Sequence, residues 1–235
     1  MKKKIISITV IIACVMAAAF FGYTGNYYHS VDPVEATSDT ESVDVEKTDF
    51  GYFYDGPGTD KCLIFYPGGL VEDIAYGGLL KKIADSGTDC ALVHMPFNLA
   101  VFGMNRAEKV TKEYDYEKWY IGGHSLGGAM AGNYAAEHQK SFDGLLLLAA
   151  YPTKDLSRSS MKVLSVYGSN DHVLERDKLK SARSLMPSDY TKQVIDGGNH
   201  GHFGNYGHQK GDGRATVSTD EQQSETVSLM NKVFQ

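Results

Sequence analysis

The chain has 235 residues, of which 42% are hydrophobic and 22% charged, enough apolar material for one domain with a sizeable core and too much for a disordered or fibrous chain. Lys+Arg 23 against Asp+Glu 29 gives a net charge of −6, and without residues 1–28, which hold three lysines and no acids, the remainder carries −9. A surface of that sign repels phosphate backbones and anionic lipid alike, so nucleic acid and other polyanions are excluded as partners.

Lys2, Lys3 and Lys4 precede an apolar stretch from Ile5 to Phe21, and no further charged residue appears before Asp32. A helix over residues 5–28 has the length to cross a bilayer, which needs about 20 residues. Ala17, Ala18 and Ala19 offer the small residues of a cleavage site, but the apolar run continues through Phe20 and Phe21. Residues 1–28 therefore read as an uncleaved membrane anchor with its lysines cytoplasmic, which places the rest of the chain outside the membrane; secretion after cleavage is the alternative. Ile11-Ile12-Ala13-Cys14 resembles a lipoprotein processing site only loosely, because the residues after Cys14 are apolar. Residues 29–48 carry six acids and one lysine and read as an acidic linker, which leaves 49–235 as the folded domain.

Within that domain, short apolar runs alternate with helical stretches. Cys62 to Tyr66, Cys90 to Met95, Trp119 to Ile121, Leu145 to Ala150, Val163 to Tyr167 and Gln193 to Ile195 read as buried strands. Residues 74–84, 126–138 and 174–185 have helix length, and a last helix starts at Ser218 with Glu221 completing a capping box and Val227, Met230 and Phe234 on one face. The alternation predicts an α/β fold with a mostly parallel sheet covered on both faces. Cys62 and Cys90 fall in neighbouring strands; they read as buried thiols, with a bridge between them as the less favoured option.

Ligands of open α/β sheets bind beyond the carboxyl ends of the strands, and three such loops carry chemistry. Gly123-His124-Ser125-Leu126-Gly127 follows a strand and opens a helix, the nucleophile-elbow pattern, with Ser125 strained at the turn. Asp171, in Tyr167-Gly168-Ser169-Asn170-Asp171, follows a strand and stands where a triad acid belongs, although the same residues also favour a plain turn. His200, after Asp196-Gly197-Gly198-Asn199, is the expected general base; Asp196 is the weaker acid and His202 the rival base. Tyr66-Pro67-Gly68-Gly69-Leu70 supplies an oxyanion donor, Gly69 being preferred with Leu70 adjacent, beside the amide of Leu126. Leu70, His124, Met95 and Phe97 are weaker expectations for the substrate pocket, His124 reading more readily as packed beneath the site or hydrogen-bonded locally and Met95-Pro96-Phe97-Asn98-Leu99 equally well as a loop packed on the core. His94 and His138 read as structural or exposed. His200, His202 and His208 with Asp196 or Asp212 make a short cluster of metal-ligand types, but the spacing fits no helix-borne zinc pattern, and no metal is expected.

Together with Tyr27-Tyr28-His29, Met95 to Ala100 and Leu148-Ala149-Ala150-Tyr151-Pro152, these motifs resemble the α/β-hydrolase superfamily, and within it small bacterial members that are often membrane-anchored. The resemblance covers nearly all of residues 27–235 and implies the same triad of Ser125, Asp171 and His200; it extends to dienelactone hydrolases and small esterases. A trimmed α/β-hydrolase fold is expected, without an N-terminal hairpin because few strands precede Cys62, and without a large cap domain, so that the site is shallow and open. The expected activity is that of a serine hydrolase cleaving an ester or similar acyl bond of a small molecule through an acyl-enzyme, with no cofactor. Acyl transfer on the same triad and a non-catalytic surface binding module are the alternatives; a peptidase finds no recognisable subsite. Oligomeric state is not legible.

Overall fold

The structure, a computed structural model, describes residues 2–31 and 42–234, and for residues 2–8 and 10 the backbone alone. Helix α1 (Lys2–Thr24) leads into eight strands: β1 (Asp44–Thr48), β2 (Gly51–Asp55), β3 (Lys61–Tyr66), β4 (Asp89–Val93), β5 (Lys118–His124), β6 (Gly144–Leu148), β7 (Lys162–Gly168) and β8 (Tyr190–Ile195). They form one sheet in the order β1-β2-β4-β3-β5-β6-β7-β8. The first two pairings, β1 with β2 and β2 with β4, are antiparallel; the others are parallel.

The central strands are buried on both sides, as continuous apolar runs in a parallel sheet require. Alternate residues serve alternate faces. Leu63, Phe65, Leu92, Leu146, Leu148, Leu164 and Val166 face one layer, where α2 (Gly77–Asp85) and α6 (Thr219–Val233) contribute Leu79, Leu80, Ile83, Val227 and Met230. Ile64, Tyr66, Val93, Ile121, Leu145, Leu147 and Val163 face the other, where α3 (Ala107–Glu113) and α4 (Ser125–Glu137) contribute Ala107, Val110, Ala131, Tyr134 and Ala135. Each fully buried Leu or Ile stabilises such a layer by about 1.5–3 kcal/mol. A short helix α5 (Arg176–Ser181) follows β7.

The α/β class, the mostly parallel sheet and the helices on both faces are as the sequence predicts. Residues 149–161, between β6 and β7, hold no helix, so no cap rises there. The capping box at Ser218 forms, and Val227, Met230 and Phe234 are all buried.

One expectation is overturned. The sheet has an N-terminal hairpin, β1-β2, paired in register from Asp44 opposite Asp55 to Thr48 opposite Gly51. β1 hid in the sequence because it lies at the edge: it reads DVEKT and is mostly exposed, so it carries the polar composition of a linker, whereas β2, mostly buried between β1 and β4, is a run of only five residues, GYFYD. Strand structure thus begins inside the segment read as acidic linker, of which residues 32–41 lie outside the described residues. Residues before that gap are also engaged, since Tyr28 bridges to Val71 in parallel. Cys62 and Cys90 are buried free thiols, and burial pushes both far up from the ordinary thiol range. Among the described residues no helix is long and apolar enough to cross a membrane.

Candidate active site

β5 ends at His124 and α4 begins at Ser125 without an intervening loop. That junction forces Ser125 to a φ of 52°, a left-handed conformation that costs a non-glycine residue about 1–3 kcal/mol unless its surroundings over-determine it. They do so here through the flanking glycines. A Cβ on Gly127 would lie 2.1 Å from the Pro67 carbonyl oxygen, and one on Gly123 would lie 2.4 Å from the Tyr66 carbonyl oxygen. The end of β3 is therefore pressed directly against the elbow, which no larger side chain at 123 or 127 allows. Ser125 itself remains partly exposed at the head of the helix.

The expected acid and base, Asp171 and His200, meet across two other strand ends. His200 Nδ1 lies 2.9 Å from Asp171 Oδ2, and both side chains are almost fully buried. Asp171 Oδ1 accepts from the backbone amides of Val173 at 2.9 Å and Leu174 at 2.8 Å. Burial alone would raise the Asp171 pKa, but the hydrogen bond and charge of His200 and the two amides outweigh it and hold the carboxyl below its ordinary 3.8. His200 is fixed from behind as well. Gln222 of α6 clamps the Asn199 peptide, accepting from Asn199 N–H and donating to its carbonyl, each at 2.9 Å. Asp212 accepts from Gly201 N–H at 2.9 Å.

His200 Nε2 is buried and makes no hydrogen bond, and none joins it to Ser125. Its ring packs 4.5 Å from that of His124, the residue preceding Ser125. Acid and base are thus joined, and the base is brought beside the elbow. The hydrogen bond from serine to base is not made in this structure, as is common where no substrate is bound.

The amides of Gly68, Gly69 and Leu70 differ in their partners. Leu70 N–H donates to Asn98 O at 2.8 Å, and Gly68 N–H donates to Tyr76 Oη at 3.0 Å. The Gly69 amide between them has no hydrogen-bond partner among the described residues. The amide of Leu126 lies in the first turn of α4, where helix N–H groups have no intrahelical acceptor. The two residues adjoin, since a Cβ on Gly69 would lie 2.9 Å from Leu126 Cδ2. Of the candidate donors, Gly69 and Leu126 are the pair left free.

Tyr76, in the 3-10 turn Asp73–Tyr76, is a residue that sequence reasoning missed. Its oxygen accepts from Gly68 and lies 2.8 Å from His124 Nδ1. The amide is a donor only, and burial raises the phenol pKa so that it keeps its proton. That proton is best spent on Nδ1, which makes His124 the neutral tautomer with hydrogen on Nε2. Burial, and then the charge of His200, push the His124 pKa well below its ordinary 6.5. Nε2 makes no hydrogen bond of normal geometry, although the His200 backbone carbonyl is close enough to favour a charged ring. No motif signals Tyr76; its placement depends on the loop after β3 folding back over the site.

The pocket expectations divide. His124 and Met95 are 1% and 2% exposed, so neither offers surface to a ligand in a substrate pocket: each takes the packed one of its two readings. Leu70 is partly exposed and Phe97 is 45% exposed. Asp196 is exposed and accepts from Ser169 Oγ at 3.2 Å instead of meeting His200. Ring Nδ1 of His202 is buried without a hydrogen bond, and burial lowers its pKa. His94 pairs with Asp73 at 2.8 Å, and His138 with Tyr134 O at 2.9 Å. Among the described residues no group of three or more His, Cys, Asp or Glu side chains is arranged to hold a metal ion.

No curated protein matches the sequence. Among solved structures, Est1E from Butyrivibrio proteoclasticus superposes with a TM-score of 0.57 at 13% identity, over 83% of this chain and 99% of that one. The carboxylesterase CesB (YbfK) from Bacillus subtilis gives 0.53 at 11% identity, over 72% of this chain and 88% of its own. A protein described as a membrane phospholipase A and bacterial virulence factor gives 0.62 at 11% identity, over 100% and 99%. At these identities the likeness is one of fold. The model of the alpha/beta hydrolase family matches residues 62–224, a stretch that runs from β3 to the helix whose Gln222 clamps the Asn199 peptide, and the chain belongs to that family.

Proposed function

We propose that this hydrolase is a serine enzyme that cleaves an ester or similar acyl bond through an acyl-enzyme on Ser125. The observation that carries the reading is the buried Asp171–His200 pair, whose Nε2 has no hydrogen-bond partner and whose ring packs 4.5 Å from that of His124 at the elbow. In the proposed reaction Ser125 Oγ attacks the acyl carbon while His200 Nε2 takes its proton and then passes it to the leaving alcohol. Asp171 holds the Nδ1–H tautomer and stabilises the imidazolium. The developing oxyanion is met by the Gly69 and Leu126 amides, a pair whose members are each worth about 3–4 kcal/mol of barrier in enzymes of this kind. Water then attacks the acyl-enzyme with His200 as base, regenerating Ser125 and releasing the acid.

The N-terminal segment is proposed as a membrane anchor with the folded domain extracytoplasmic. Support comes from the apolar run in the sequence and from the exposure of every residue from Ile11 to Ala19.

The test is hydrolysis of p-nitrophenyl esters of increasing acyl length by the purified full chain. Turnover of at least one ester, lost in Ser125→Ala, is expected; undiminished turnover in Ser125→Ala contradicts the proposal.

A further inference from the structure

Over residues 11–19 helix α1 has no polar face. Ile11, Ile12, Ala13, Cys14, Val15, Met16, Ala17, Ala18 and Ala19 are all exposed, and nine consecutive residues pass around the helix more than twice. A helix lying on a protein in water keeps a polar stripe, whereas one apolar all round needs an apolar medium on every side. Its last turns do not stand apart from the domain. The Phe20 ring lies 5.1 Å from Phe97 and 5.9 Å from Phe102, and Phe97 and Phe102 are 5.8 Å apart. Phe21 also reaches Phe97, at 6.2 Å. The 96–102 loop continues the apolar surface outward: Phe97, Val101 and Phe102 are 45%, 49% and 53% exposed. Clustered aromatics of this kind on a soluble face mark an interaction site.

The loop is also tied to the catalytic machinery. Phe97 and Asn98 have φ of 57° and 54°, strain that turns Phe97 outward while aiming the Asn98 carbonyl at Leu70 N–H. Leu70 in turn accepts from Tyr28 N–H at 2.8 Å. The end of the α1 segment and the aromatic loop therefore both hold the residue next to Gly69.

We infer that the face formed by Phe20, Phe21, Phe97, Val101 and Phe102 is seated in the surface of a phospholipid bilayer, and that the substrate is an acyl ester of a membrane lipid entering the site from that surface. The inference rests on the proposed hydrolase reading for its chemistry. Ser125 Oγ would bond to the lipid acyl carbon as the ester C–O bond breaks, the lipid alcohol leaving with the proton carried by His200. Water then supplies the hydroxyl of the released fatty acid. Of the candidate occupants, a bilayer alone also meets the demand of α1 for apolar surroundings on all sides.

The experiment uses the full chain in phosphatidylcholine vesicles. The single tryptophan, Trp119, sits at the start of β5, opposite the strand ends that carry the site, and reports on the body of the domain. In Phe102→Trp the added indole is expected to be quenched several-fold more by brominated phosphatidylcholine than the parent fluorescence is. The parent enzyme is expected to release fatty acid from the vesicles. Quenching equal to the parent's overturns the inferred seat. A blue shift of the added indole that needs only higher protein concentration, without lipid, assigns the face to a second copy and also overturns it. Cleavage of a soluble p-nitrophenyl ester without fatty acid release overturns the lipid substrate while leaving the hydrolase reading intact; loss of both activities in the folded parent defeats both.

Discussion

The two sides of the site are held by different means. On the acid-base side, Asp171 and His200 are buried, hydrogen-bonded to one another and braced by the amides of Val173 and Leu174, the clamp from Gln222 and the Asp212 carboxylate. On the nucleophile side, the backbone is bent: Leu70, Phe97, Asn98 and Ser125 all have positive φ. One side is fixed by satisfied polar groups, the other by strain that packing resists. Polar bracing tolerates small shape changes but not changed donor and acceptor chemistry. Strain behaves in the opposite way.

The largest effect is expected where donor chemistry is reversed on the braced side. In Asp171→Asn, the Val173 and Leu174 amides keep the side-chain oxygen where Asp171 Oδ1 is now. The new NH2 then faces His200 Nδ1 and donates to it, moving the imidazole proton to Nε2, the atom that must accept from Ser125. Ester turnover should fall by about 10³ to 10⁴-fold, with thermal stability changed far less. A loss below tenfold in steady-state kinetics would show that Asp171 is not the acid.

A smaller loss is expected where the two sides join. Tyr76→Phe removes the hydroxyl that serves Gly68 and His124, leaving two buried polar groups unpaired. Stability should fall by about 1–3 kcal/mol in urea unfolding. As a positioning residue, Tyr76 should affect kcat while KM for a short ester stays unchanged; a drop in stability with unaltered kcat would reduce it to a packing role.

The mildest effect concerns pH. The folded state holds His124 neutral below its ordinary 6.5, while the unfolded chain protonates it there, so the unfolded state binds more protons. Stability is therefore expected to decline as pH falls below about 6.5, by at most about 1.4 kcal/mol per pH unit for this one group. His124→Gln should flatten that part of the curve. An unchanged slope in the variant would assign the acid sensitivity elsewhere.

The contrast also explains what was legible in the sequence. Ser125, Asp171 and His200 each follow a run bounded by turn residues, and the five central strands announce themselves because a parallel sheet is apolar on both faces, whereas β8, expected to be buried, is an edge strand that is mostly exposed. Strand β1 is the sheet edge, where Asp44, Glu46 and Lys47 face water, so its composition is that of a loop. Tyr76, Gln222 and Asp212 act across distances that only the fold closes, from 3-10 turn, terminal helix and irregular loop, and nothing near them in the chain hints at a partner. Met95 and His124 read both ways because a residue after a strand can face a ligand or turn inward, and these two are buried.

The central claim is that Ser125 is the group that forms a covalent bond to the substrate, and reaction of the full chain with a fluorophosphonate, read by intact and peptide mass, tests it most directly. The account predicts one adduct per chain, on Ser125, absent from Ser125→Ala and strongly slowed in Asp171→Asn. An adduct that persists in Ser125→Ala, or a folded parent chain that takes up no label, would contradict it.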